Sequence, residues 1–179
     1  EYMTYLNEKA RVNDQPAVFT PEQIAANVWN TNWQDEIFRS AVITNHAVDI
    51  SGGGPTFKGS LGLSYFDQDG IVKKGGYERI SIRTNLEYNI SKYVTASANI
   101  IFSRSNHDQM NSQGGSRGTT VINSALTASP LATPHYDDGS WNDFQTQPTA
   151  GMNPVAYLHE VKNRRYANRL LANAALYGD

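Results

Sequence analysis

Cysteine is absent from this 179-residue chain, which removes disulfides and thiolate metal sites but leaves the compartment open. No run of about 18 apolar residues occurs, so no segment reads as a membrane-crossing helix. An excess of one charge is also missing: 15 Lys and Arg against 17 Asp and Glu leave a net −2, with both signs interspersed. Binding a nucleic-acid backbone needs clustered cations, and the densest group, Lys162-Asn163-Arg164-Arg165, is too short to supply them. No nucleic-acid partner is expected.

The residues that carry chemistry are equally sparse in pattern. The four histidines, His46, His107, His135 and His159, are dispersed, and none pairs with another at metal-ligand spacing. Serines are plentiful, but no nucleophile elbow surrounds any of them. Asp137-Asp138-Gly139 reads as a turn rather than an acid–base pair. Asp67, Asp69 and Glu78 imitate the ends of a calcium loop, but Val72 stands where that loop needs glycine. Gly54 to Ser60 holds the ingredients of a phosphate loop in the wrong order and reads as a hairpin turn. Enzyme activity, a cofactor and a bound metal are therefore not expected.

What the chain does have is alternation. From Ile80 to Ile90 the even positions are Ile80, Ile82, Thr84, Leu86, Tyr88 and Ile90, and the odd positions are Ser81, Arg83, Asn85, Glu87 and Asn89. Side chains alternate across a strand, so one face is greasy and the other wet. The pattern resumes with Val94, Ala96, Ala98, Ile100 and Phe102 against Thr95, Ser97, Asn99 and Ser103. Each segment matches the roughly 9–11 residues of a tilted membrane-spanning strand, about twice the length of a common soluble one. The mean hydropathy of −0.52 does not argue against this, because half of each such strand faces water. Both apolar sets fall on even numbers, so an odd-length loop is required. Ser91-Lys92-Tyr93, with Ile90 opposite Val94, satisfies that parity.

Four regions follow. Residues 1–44 read as loop with short helices: Glu1 to Ala10, a helix started by Thr20 as N-cap with Pro21 and Gln23, and Trp33 to Arg39. Ile24, Val28 and Trp29 share one face of the second helix. Residues 45–104 hold four strands, beginning at Asn45, Phe57, Ile80 and Val94. Residues 105–166 form a long loop rich in Gly, Ser, Asn, Thr and Pro, with short helices at Val121 to Ala128 and Pro154 to Val161. Residues 167–179 begin a further strand through Leu170, Ala172, Ala174 and Leu176. The last of these alternations is still running near Asp179, so the chain reads as a segment of something longer.

A specific resemblance emerges at Thr31-Asn32-Trp33-Gln34-Asp35-Glu36-Ile37-Phe38-Arg39, which resembles the TDWQDEIFR signature of SusC/RagA-type TonB-dependent outer-membrane transporters. Asn45-His46, Ser51-Gly52-Gly53, Tyr65 to Val72 and Tyr77-Glu78-Arg79 are similar, in order, to further family sequence, as are Asn153-Pro154-Val155-Ala156 and Asn168 to Leu171. Asn32 and Phe66 depart from it, where the family has Asp and often Leu. The resemblance implies an all-β fold: about five antiparallel strands of a barrel of about 22, with long, partly helical extracellular loops. It implies a bacterial outer-membrane location and import of a glycan or oligopeptide beneath a SusD-like lipoprotein. TonB would act through a plug region absent from these residues. The short turn at Ser91 to Tyr93 would be periplasmic and residues 105–166 extracellular.

Candidate site residues follow from this reading. Arg79, Arg83 and Glu87 lie on the wet face, either as solvated lumen residues or as a polar track guiding substrate. Trp33 and Trp141 in the loops either pack there or contact a sugar, a peptide or the lipoprotein. Tyr65, Tyr77, Tyr88, Tyr93, Phe102 and Tyr177 fall near strand ends, where an aromatic girdle at the lipid boundary would sit. Two other classes remain open at this level: a soluble, secreted β-sandwich binding module, and a passive porin without TonB coupling.

Overall fold

A computed structural model describes residues 1–27, 30–110, 120–144 and 152–178. Val28 and Trp29, assigned from sequence to a helix face, lie outside the described residues. The chain divides into two compact units, Glu1–Ile37 with Gln113–Tyr157 and Phe38–Ser112 with Leu158–Asp179.

The first unit is helical and carries most of the buried apolar residues. Helix α1 spans Tyr2–Val12 and buries Met3 and Ala10. Helix α2, Pro21–Ala26, starts on the capping box read from sequence: Thr20 Oγ1 accepts from the Gln23 N–H at 3.2 Å, and Gln23 Oε1 accepts from the Thr20 N–H at 2.8 Å. Helix α3, Trp33–Ile37, buries both of its end residues. After the strands of the second unit comes α4, Val121–Thr127, where the Thr120 hydroxyl caps the Asn123 N–H. The short α5, Pro154–Glu160, is started by Asn153, whose Oδ1 accepts from the N–H groups of Val155 and Ala156. The same amide donates to Pro134 O at 2.7 Å and Asn142 O at 2.9 Å, so one side chain joins three loop segments.

The second unit is one antiparallel sheet of five strands in chain order. They are β1 (Ile43–Gly53), β2 (Phe57–Asp69), β3 (Gly76–Ser91), β4 (Val94–Asp108) and β5 (Arg164–Gly178). Up-and-down order puts the short turns, 54–56 and 92–93, at one end and the longer connections at the other. The strands run beyond the alternating stretches visible in the sequence. β3 starts at Gly76 rather than Ile80, β4 reaches Asp108, and β5 begins at Arg164. Ladder hydrogen bonding carries the pairing past the point where apolar residues stop.

The β3–β4 turn differs from its expected form. Within the strands the pairing has the anticipated parity, with Tyr88 opposite Ala96 and Ile82 opposite Phe102. At the tip, however, Ser91 rather than Ile90 lies opposite Val94, with a register shift between Asn89 and Ser91. A two-residue turn plus a one-residue bulge replaces the three-residue loop, and both solutions preserve the side on which the greasy residues fall.

Candidate functional site

Cross-strand register sorts every strand residue onto one of two faces. Val48, Leu63, Ile82, Phe102 and Leu170 form one continuous row across all five strands, and Ile50, Leu61, Thr84, Ile100 and Ala172 form the next. Two further rows, with Gly59, Leu86, Ala98 and Ala174, then Phe57, Tyr88, Ala96 and Leu176, continue this apolar face toward the short turns. Phe57 lays its ring over Gly59, covering the backbone where β2 has no side chain. In the opposite direction the next row, His46, Tyr65, Ile80, Arg104 and Asn168, is already mixed, and the band ends at Asp67, Glu78 and Asn106, followed by Asp69, Asp108 and Arg164.

That charged edge is organised by residues of the sequence signature. Arg39 forms an ion pair with Asp69 at 2.7 Å and donates to the Gly70 and Gly75 carbonyls, both at 3.1 Å. Its own N–H donates to Ile71 O, and Phe38 bridges to Val72. The signature arginine thus ties down the turn between β2 and β3, a role that spacing along the chain could not reveal. Arg164 grips Asp108 with two contacts, at 2.5 and 2.9 Å.

The other face is polar and is where the candidate site lies. Arg79, Arg83 and Glu87 all fall on it. Near the short turns, Lys58 and Glu87 pair at 3.0 Å. One row further, Ser51, Ser60, Asn85, Asn99 and Asn173 cross all five strands. Asn99 donates to Asn85 Oδ1 at 2.7 Å, and Asn85 donates to Ser60 Oγ at 3.0 Å. These residues line a groove of about 880 Å³ together with Gly53, Ser97 and Tyr177. Next come Asp49 and Arg83, paired at 3.3 Å across Gly62. A Cβ on Gly62 would collide with the Asp49 carboxylate, so the glycine is what lets the pair reach over β2. The row also contains Ile101 and Leu171, an apolar spot that a strict alternation does not anticipate.

Toward the longer connections the polar face becomes aromatic and cationic. Phe66 and Tyr77 meet edge to face at 6.0 Å, and Tyr77 meets His107 at 5.8 Å. The Arg79 guanidinium lies over the Phe66 ring, 5.7 Å from its centre. Sequence reasoning singled out Arg79 but missed Phe66 and His107, whose neighbours become visible only once three strands are in register.

The register also corrects the expected aromatic girdle. Tyr65, Tyr88 and Phe102 stand on the apolar face, but Tyr77 and Tyr177 point to the polar one, opposite His107 and Thr95 respectively. Nearness to a strand end set their assignment; residue parity decides it. The loop tryptophans also separate. Trp33 is 3% exposed, donates to Ser129 O at 2.9 Å and packs edge-on to Phe144 at 5.3 Å, so it holds the helical unit together and offers no surface to a ligand. Trp141 is half-buried and stacks on His135 at 4.2 Å. Among the described residues no group of three or more His, Asp or Glu is placed to hold a metal ion.

The chain is similar to several known proteins. It is 33% identical over 147 residues to TonB-dependent receptor P3 of Formosa agariphila, covering 80% of this chain and 15% of that one. It is 25% identical over 159 residues to TonB-dependent receptor SusC of Bacteroides thetaiotaomicron, covering 80% and 16%. The chain therefore spans about a sixth of the length of these curated relatives. Among solved structures, the RagAB peptide transporter superposes with a TM-score of 0.66 at 14% identity, over 96% of this chain and 23% of that chain. A second RagAB structure, a peptide importer in a closed-closed state, gives 0.58 at 18%, over 86% of this chain and 21% of that one. No family model matches the chain. The relatives named here are receptors and transporters, not enzymes.

Proposed function

We propose that the chain is a barrel segment of a SusC/RagA-type TonB-dependent receptor and builds part of the wall of an energised nutrient importer in a bacterial outer membrane. The observation that carries the proposal is the row structure of the sheet. Four successive rows are apolar on one face, while the same strands carry Lys58, Asn85, Arg83 and Arg79 on the other. A wall between lipid and a watery lumen needs this division, and every backbone group between must be hydrogen-bonded within the sheet.

In this reading the apolar face meets lipid and Arg79, Arg83 and Glu87 line the lumen. The turns at 54–56 and 92–93 face the periplasm, and residues 1–44 and 105–166 lie outside the cell. The cargo is a glycan or an oligopeptide, received beneath a SusD-like lipoprotein, and TonB supplies the energy through a plug. Trp141, stacked rather than buried, is the loop aromatic proposed to meet cargo or lipoprotein.

Fractionation of source cells tests the reading, with an antibody raised against residues 120–144. A band far heavier than 19.8 kDa in the outer-membrane fraction is expected. A band near 19.8 kDa in a soluble fraction would replace the wall with a free-standing binding module.

A further inference from the structure

The two faces of the sheet divide their charges unequally at the end away from the short turns. Asp67, Asp69, Glu78 and Asp108 all stand on the apolar side of the sheet, where Arg39 and Arg164 pair with two of them. The polar face at the same level holds three guanidiniums, from Arg79, Arg165 and Arg169. The three rows that contain them read Ile43, Gln68, Tyr77, His107, Arg165; then Asn45, Phe66, Arg79, Ser105, Ala167; then Ala47, Ser64, Ser81, Ser103, Arg169. None of these rows includes a carboxylate. By contrast, Arg83 and Lys58 nearer the short turns each have a carboxylate partner on the same face.

From strand spacing and rise, the three arginine Cα atoms form a triangle with sides of about 12–13 Å. One small anion cannot reach all three. A chain with several acidic groups can, and a guanidinium fork matches a carboxylate or sulfate with two parallel hydrogen bonds. Tyr77 and His107 share the row of Arg165, and Phe66 stands beside Arg79 on its β2 side, rings of the kind that stack on the C–H face of a sugar. We propose that this patch is a selectivity site for acidic oligosaccharides, binding carboxylate or sulfate groups on Arg79, Arg165 and Arg169 and sugar rings on the aromatic strip. The proposal rests on the reading that the polar face lines the lumen.

Calorimetry on the full-length receptor, purified from outer membranes, would compare hexagalacturonate with the same hexamer after carboxyl reduction, and with hexaglutamate. Hexagalacturonate should bind, and the reduced sugar should bind at least about tenfold more weakly, as expected for lost charge-assisted bonds. Arg79→Gln, Arg165→Gln and Arg169→Gln should each weaken the acidic sugar several-fold while leaving the residual binding of the reduced one unchanged. Equal binding of the two sugars, unchanged binding in the triple variant, absence of binding to either, or preference for hexaglutamate would each overturn the proposal. Labelling with a water-soluble maleimide, using Ser81→Cys and Ile82→Cys in otherwise cysteine-free receptor, separates the two levels. Labelling at position 81 alone upholds the wall reading whatever the calorimetry gives; labelling at 82 alone inverts the faces and removes both.

Discussion

Between Asp49 on β1 and Arg83 on β3 lies Gly62 of β2, and their ion pair crosses the strand because no side chain stands there. Both partners are well exposed in this sheet, so a double-mutant cycle with Asp49→Asn and Arg83→Gln should give a coupling below about 1 kcal/mol. Repeating the cycle in a Gly62→Val background should give none; a coupling that survives the valine would show that the pair does not depend on the gap. Asp138 illustrates a different local control. The Ser140 hydroxyl donates to its carboxylate at 2.6 Å and the Ser140 N–H at 2.9 Å, holding that carboxyl below its ordinary value. A depressed folded value means that this turn is stabilised above the unfolded carboxyl pKa, about 3.9, and loses that support as pH falls through the folded one. In an NMR titration, Ser140→Ala should move the Asp138 midpoint upward, and an unmoved midpoint would deny the hydroxyl its role. Neither arrangement was legible from the residues alone. Gly62 reads in sequence only as one more member of an alternating strand, and Arg39 only as the end of a signature.

At the level of the elements, alternation identified the strands and their two faces, and the Thr20-Pro21-x-Gln23 pattern identified α2 down to its capping bonds. It did not find the strand ends. β3 has 16 residues and β4 and β5 have 15 each, against the roughly 9–11 that span a bilayer. The surplus lies where Asp67, Glu78, Asn106 and Asp108 replace apolar residues, so the ladder outlasts the greasy pattern. The division of faces makes a direct prediction about neighbouring residues of β2. Leu63→Arg, in the middle of the apolar band, should destabilise the folded full-length barrel by about 2–4 kcal/mol. Ser64→Arg, one residue on and on the polar side, should cost far less. Heat-modifiability on a gel reports both, and equal losses would mean that the apolar face is not in lipid.

On the scale of the whole chain, the buried apolar residues and the sheet separate. Met3, Trp33, Ile37, Val121, Ala125, Phe144 and Val155 are buried and belong to the helical unit. The strands instead leave large apolar side chains exposed, among them Ile50 at 64%, Leu170 at 67% and Leu176 at 73%. A soluble sheet would bury such residues against a second layer. A barrel strand gives them to lipid and has its edges removed by closure. These 179 residues expressed alone in water should therefore aggregate or stay disordered. A soluble monomer with one cooperative unfolding transition by circular dichroism would contradict the wall reading.

The sequence by itself determined the period-two alternation, the odd parity linking β3 to β4, the helix caps and the family resemblance, because each depends on residues close together in the chain. Only the tertiary structure decided which residues from different strands share a row, since that requires the register of four separate pairings. It turned Tyr77 and Tyr177 away from the apolar face, buried Trp33 against Phe144 and carried Arg39 to the β2–β3 turn. It also gathered Arg79, Arg165 and Arg169 on one face and the carboxylates at that level on the other. Cross-strand neighbours lie about 5 Å apart in space however far apart they lie in the chain. Local periodicity cannot report them.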